Sequence, residues 1–311
     1  MAMKIIKQPL RWQVGLVFLA GVLAISTSAI FARLAIASAG VSGVGFSLFV
    51  AGSRLTIASM LLLPALPKLR QAQLGPGALL YASGAGICLA LHFVTWITSL
   101  SFTSIAASTT LVTTTPIWVA LVSWLWLKET LTRLTVLGIG VAFVGGVLIS
   151  LADGASLSAG SNPLLGNSLA LIGAVIASLY ILFGREAQQR GLSLGSYSAF
   201  AYSMGALVLL LLSLLWGVSY LNYPVAVYVY ILLIAVFPQM VGHTSFNWLL
   251  RWINPTLVTL AILFEPVGAC FLGYLVFQEV PGVLVLVGAV VLLVGVALAV
   301  FGSNLRKEVE G

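Results

Sequence analysis

Residues 257 to 277 read LVTLAILFEPVGACFLGYLVF, an apolar run broken by one carboxylate, Glu265, with Pro266 directly behind it. Counting from Thr256 at about 1.5 Å per residue, Glu265 lies about 13–14 Å into a hydrocarbon core roughly 30 Å thick. A charge at that depth costs about 2.5–3.5 kcal/mol on insertion scales, so it has a functional or a pairing reason. Pro266 withdraws one backbone donor and disturbs the carbonyl of Ile262, so acid and helix defect together make a polar spot. The chemistry on offer is proton carriage or pairing with a substrate ammonium. The plainer alternative is a hydrogen-bonded acid that pins neighbouring helices.

LHFVTWITS and GHTSFNWLL supply a second constellation. His92 and Trp96 are four apart, as are His243 and Asn247, so each pair shares a helix face. Imidazole and amide groups are poor company for lipid tails, so both faces are expected to look into a cavity. His92 falls toward one end of its span and His243 toward the opposite end of its own, which argues against a shared metal site; a third ligand is also missing. Either histidine can equally be a hydrogen-bonded packing residue. Arg54, about ten residues into its apolar run, could grip a carboxylate bidentately, although fastening of helix packing is the favoured reading. Arg33 is expected to snorkel. Trp96, Trp118, Tyr180 and Tyr202 lie deep enough to stack on an aromatic cargo, or to pack. The hydroxyls at 26–28 and 109–115 either face that cargo or bond back to their own helices.

The surroundings decide what such groups can do. The chain has 311 residues, of which 61% are hydrophobic and 7% charged, against about 25% charged in a soluble domain. That is the composition of an all-α polytopic membrane protein. Runs of about 20 apolar residues give ten spans near 12–36, 44–64, 76–98, 104–126, 134–151, 164–184, 197–217, 226–249, 256–277 and 281–301. The first is too long for the roughly 7–15 residue core of a signal peptide and is kept as a span. With the N-terminus in the cytoplasm, Lys and Arg collect in the loops of that side, so both termini are expected there. No basic stripe interleaved with aromatics points to nucleic acid. Cys88 and Cys270 sit in apolar runs and read as packing residues. Trp124, Trp126, Trp216 and Tyr220, near span ends, read as an interfacial belt. The sequence shows no HExxH, GxSxG, Walker or GxGxxG motif, so no enzyme, metal or cofactor is expected.

The chain also repeats itself. Thr115-Pro116 matches Glu265-Pro266, Lys128-Glu129 matches Gln278-Glu279, Gly138 matches Gly288 and Gly145 matches Gly295, all at an offset of 150. Pro116 and Pro266 are thus paired helix defects, whereas Thr115 is not acidic, so any proton role is asymmetric. Five spans per half means that the second half must insert upside down relative to the first, the inverted-repeat plan of secondary transporters. The halves are taken as 1–155 and 156–311.

RLTIASMLLLPAL at 54–66, TPIWVALVSWLWLKETLTRLTVLGIGVAFVGGVLI at 115–149 and FEPVGACFLGYLVFQEVPGVLVLVGAVVLLVGVAL at 264–298 resemble the EamA-type drug/metabolite transporter superfamily. The resemblance covers nearly the whole chain. It implies two five-helix repeats around a central cavity and export of small metabolites across the cytoplasmic (inner) membrane. Amino acids, aromatic ones first, are the expected cargo, with a monomer as the working unit and the bilayer and a small molecule as partners. On this reading His92, Trp96, Trp118, Tyr180, Tyr202, His243, Asn247 and Glu265 line the cavity, and Glu265 is the candidate for proton coupling. A drug or nucleotide-sugar carrier of the same fold, a channel and a non-transporting membrane protein stay open as alternatives.

Overall fold

A computed structural model describes residues 10–71, 73–127, 131–153, 161–249 and 263–310. Within them the long apolar runs all become helices: α1 (Arg11–Ser26), α2 (Ser28–Ala39), α3 (Val44–Leu62), α4 (Ala78–Ser99), α5 (Ile105–Val112), α6 (Thr115–Leu127) and α7 (Arg133–Asp153). The second half holds α8 (Pro163–Gln189), α9 (Leu194–Leu215), α10 (Val225–Ile234), α11 (Thr244–Leu249), α12 (Glu265–Phe277) and α13 (Val283–Glu310). Among the described residues eight helices are long and apolar enough to cross a membrane, and two shorter apolar helices cover Arg133–Ile149 and Glu265–Phe277. The chain is a multi-pass, all-helical membrane protein. The expected ninth span is represented by its second part, because 250–262 lie outside the described residues.

Three expected spans are interrupted near mid-depth. The first divides at Thr27, where Ser26 Oγ donates to the Val22 carbonyl at 2.8 Å and Thr27 Oγ1 to that of Ala24 at 2.7 Å. Such back-bonds compete with the helical ladder and bend it. The fourth divides at Thr113 and Thr114, whose hydroxyls bond to Thr110 and Leu111 carbonyls at 2.8 and 2.7 Å, and Pro116 then opens α6. The eighth carries a π-helical segment, Ala235–His243, around Pro238. Pro238 has no N–H to give, so the ladder is re-registered there, and π turns re-aim the side chains they carry.

Packing is closest where glycines let backbones meet. Gly138 faces Gly295 and Ala299, while Gly145 faces Gly288 and Leu292, so α7 and α13 run antiparallel. A Cβ at Gly288 would come within 3.0 Å of the Gly145 carbonyl oxygen. Small-residue contacts of this kind drive helix association where lipid removes the hydrophobic incentive. Helices paired by the 150-residue offset also pack on one another, α3 on α9 and α7 on α13, while α12, the offset partner of α6, packs on α5. The α4–α8 contact is matched by that of α1 with the π segment and α11.

One end of the bundle, where the loops around 40–43, 100–104, 216–224 and 278–282 come together, is tied by polar and aromatic groups. Arg33 does not snorkel: its Nη1 pairs with Glu279 Oε2 at 3.4 Å and its Nη2 donates to the Thr103 carbonyl at 2.7 Å. The other Glu279 oxygen accepts from the Ile105 N–H at 2.7 Å, capping α5. Tyr220 likewise leaves the expected lipid belt. It donates to Ser213 Oγ at 2.9 Å and meets Phe49 edge-on at 5.1 Å, inside a cluster with Phe46, Tyr223 and Tyr228. Trp124, Trp126 and Trp216 remain exposed, as a belt requires.

Candidate functional site

Arg54 is the largest fully buried side chain of the core, 1% exposed on α3. Its Nε donates to Gln239 Oε1 at 2.8 Å, and its Nη1 lies 3.4 Å from Ser28 Oγ. The guanidinium carbon sits 3.9 Å from the Phe93 ring centroid, a cation–π contact that partly replaces lost water. Each neighbour hangs from an irregular or crossing element: Ser28 opens α2 after the break at Thr27, Gln239 follows Pro238 in the π segment, and Phe93 projects from α4. Among the described residues Arg54 is the one basic side chain in the buried set.

Gln239 is wholly buried, and its Nε2 makes no hydrogen bond. The orientation of this amide is fixed by chemistry: a guanidinium can only donate, so the oxygen must face Arg54 and the nitrogen must face away. Beside it stands Tyr202, 1% exposed, whose hydroxyl interacts with Gln239 and with Tyr180; Tyr180 in turn interacts with Tyr197. Glu265 is 8% exposed at the start of α12. It is in electrostatic reach of Arg54 without an ion pair to it, and Arg33–Glu279 and Arg190–Glu186 are the ion pairs among the described residues. Pro266 occupies the first turn of α12, where a missing N–H costs nothing, and an acid there complements the helix dipole. The expected mid-helix defect is therefore a helix start, and Ile262 lies outside the described residues.

The predicted aromatic and imidazole groups surround this core. His92 stacks on Trp96, with centroids 6.5 Å apart and 6° between planes, and its Nδ1 lies 2.9 Å from the Gly173 carbonyl oxygen of α8. The two histidines are closer than the inversion suggested, because both imidazoles lean on one ring: Phe93 is 5.1 Å from His92 and 6.4 Å from His243. Trp96 is buried with its Nε1 unbonded. Trp118 donates to Thr114 Oγ1 at 3.1 Å, across the break between α5 and α6. Asn247 belongs to α11, but its side chain lies outside the described ones. Among the described residues no group of three metal-ligating side chains occurs.

Two stretches of the chain, 12–151 and 164–301, each match the EamA-like transporter family. The chain belongs to this family. It is 28% identical over 213 residues, 68% of each chain, to the "uncharacterized transporter YyaM" of Bacillus subtilis (strain 168). It also superposes on a protein of known crystal structure with a TM-score of 0.59 at 19% identity, covering 95% of this chain and 99% of the other, which is a likeness of fold.

In this EamA-family transporter the deep charges Arg54 and Glu265 stood out from the sequence, but Gln239 did not. Its signal was present in FPQM: an X-Pro step followed by an amide inside an apolar run, the same kind of break as Glu265-Pro266. The hydroxyls at 26–28 divide between the two roles foreseen, with Ser26 and Thr27 bonding back to their helices and Ser28 reaching Arg54.

Proposed function

We propose that this protein is a secondary transporter of the cytoplasmic (inner) membrane that exports amino acids, aromatic ones by preference, by alternating access. On this reading the halves 1–155 and 156–311 are inverted repeats, both termini are cytoplasmic, and rocking of one half against the other exposes a central site to each side in turn. The antiparallel packing of α7 on α13, helices paired by the 150-residue offset, supports the inversion. His92, Trp96, Trp118, Tyr180, Tyr202, His243, Asn247 and Glu265 wall the site, and Glu265 is its acid and the candidate for proton coupling.

One observation carries the reading. Side chains from both halves (Ser28, Arg54 and Phe93 from the first; Tyr202, Gln239 and Glu265 from the second) converge, charged and aromatic together, at buried positions beside broken helices. Intramembrane charges facing a bundle interior mark substrate pathways. A lone buried cation among the described residues favours a cargo with one anionic group over a nucleotide sugar, whose diphosphate asks for more. The chain catalyses no reaction and takes no cofactor on this reading.

Purified protein in liposomes, offered a panel of labelled amino acids, tests it. Saturable uptake of Trp, Phe or Tyr is expected. If these fail while other metabolites saturate, the cargo assignment is wrong; if nothing is taken up, the transport assignment is wrong.

A further inference from the structure

At the end of the bundle opposite the Arg33–Glu279 tie, a groove of about 140 Å³ is walled by Tyr81 of α4, Val122 and Trp126 of α6, and Leu182, Phe183 and Arg185 of α8. Aromatic contacts hold its shape. Phe183 meets Trp126 edge-on at 5.8 Å and Tyr81 at 6.1 Å, and it packs over Gly84, where an added Cβ would come within 3.1 Å of the ring. The depth of the groove follows from the helices. Tyr81 is the fourth residue of α4, Trp126 the last but one of α6 and Arg185 the fifth from the end of α8, each within about 6 Å of a helix end. That is the level at which lipid headgroups meet acyl chains, and Trp and Tyr belong there.

The groove opens sideways. Ile181, one turn from Arg185 on the same face of α8, is 45% exposed and Trp126 is 56% exposed, so lipid covers the outer side. Arg185 is exposed at the rim, and among the described residues it makes no hydrogen bond or ion pair. Glu186 also borders the groove, but Arg190 holds it at 3.4 Å; Arg190 is itself fixed by the Pro76 carbonyl and lies 4.5 Å from the Tyr81 ring centroid. Arg185, Glu186 and Arg190 together therefore leave one positive charge unbalanced beside apolar walls. A free phosphate would meet the charge and gain nothing from the walls. A zwitterionic headgroup brings an ammonium of its own, for which the acid at this groove is already taken. Size decides the rest: a cavity of this volume holds a group about as large as benzene, so it takes a phosphate and the first carbons while the tails run outside along α6 and α8.

We infer that this groove binds an anionic glycerophospholipid, whose phosphate pairs with Arg185 and whose glycerol end lies against Trp126 and Phe183. Basic pockets between membrane helices recognise such headgroups in this way. Tyr81, Val122 and Trp126 belong to the first half of the chain and Leu182, Phe183 and Arg185 to the second, so the lipid spans the seam between them. A lipid that bridges the seam favours the arrangement of the halves that keeps α6 beside α8, and so biases any motion that parts them. That effect on transport rests on the proposed function; the binding does not.

Native mass spectrometry of the full-length protein, stripped of lipid in neutral detergent, reads the binding. Dioleoyl phosphatidylglycerol is expected to be retained about tenfold more tightly than dioleoyl phosphatidylcholine. Arg185→Gln should remove most of that preference, whereas Arg185→Lys, still a phosphate-binding cation, should keep most of it. Arg133→Gln, which removes an exposed cation outside the groove, should leave it intact. Trp126→Ala should weaken both lipids together. Unfolding temperatures identify any variant that fails to fold, and the wild-type comparison stands without them. Equal retention of the two lipids, equal losses in Arg133→Gln and Arg185→Gln, or displacement of phosphatidylglycerol by inorganic phosphate would each overturn the site. In proteoliposomes, replacing phosphatidylcholine by phosphatidylglycerol should change the rate of exchange of labelled L-phenylalanine in the wild type and not in Arg185→Gln. Selective binding with a rate indifferent to lipid keeps the site and removes the bias. Selective binding with no uptake in either lipid keeps the site and removes the transport assignment instead.

Discussion

A lysine at position 54 would bring the same charge to the same depth, but as a point and without the fork that a carboxylate matches. Arg54→Lys is therefore expected to fold and to slow cargo exchange by roughly ten- to a hundredfold; an unchanged rate would show that charge suffices. Glu265→Gln is expected to slow transport in liposomes and to flatten its dependence on pH, and normal pH-dependent rates would leave the acid a structural fixture. His92→Ala should weaken the apparent affinity for cargo more than Cys88→Ala does, because His92 stacks on Trp96 beside Phe93 while Cys88 is a half-buried free thiol. At this scale the sequence announced the charges, since a carboxylate or guanidinium in an apolar run has no bland explanation. It did not announce their partners. Arg54 and Gln239 are 185 positions apart, and one amide after a proline carries no periodic pattern to reveal it.

Helices were readable because each must cover its own backbone groups with about 20 apolar residues. Their breaks were readable at prolines and hidden at Thr27, where bending comes from hydroxyls that could as well have faced a cavity. The glycine-rich fifth and tenth spans were read as close packing, and the structure says which glycines bear it. A Cβ at Gly145 would run into the backbone at Leu292, whereas one at Gly140 meets nothing within 4 Å. Gly145→Ala should destabilise the protein by about 1–3 kcal/mol, and Gly140→Ala should be neutral or stabilise by up to about 1 kcal/mol, as read from denaturant midpoints. Equal effects would mean that α7 and α13 do not meet as described. At the tied end, Glu279→Ala removes both the Arg33 pair and the cap on Ile105, and should cost about 1–3 kcal/mol by the same measurement. Glu279→Gln, which can keep the cap, should cost less.

Across the whole molecule, the chain carries two matches to one family, an antiparallel meeting of the offset-paired α7 and α13, and a polar core fed by both halves. In the transport cycle proposed for it, cargo on one side should speed the passage of cargo from the other, because a loaded site reorients as a unit. A channel of equal selectivity would show no such coupling. The direct measurement is counterflow: liposomes preloaded with unlabelled L-phenylalanine are placed in a trace of the labelled amino acid. Transient accumulation of label above its outside concentration, slowed in Glu265→Gln, is the expected result. Label that only equilibrates, at a rate indifferent to the preload and linear in concentration, would contradict alternating access through this site.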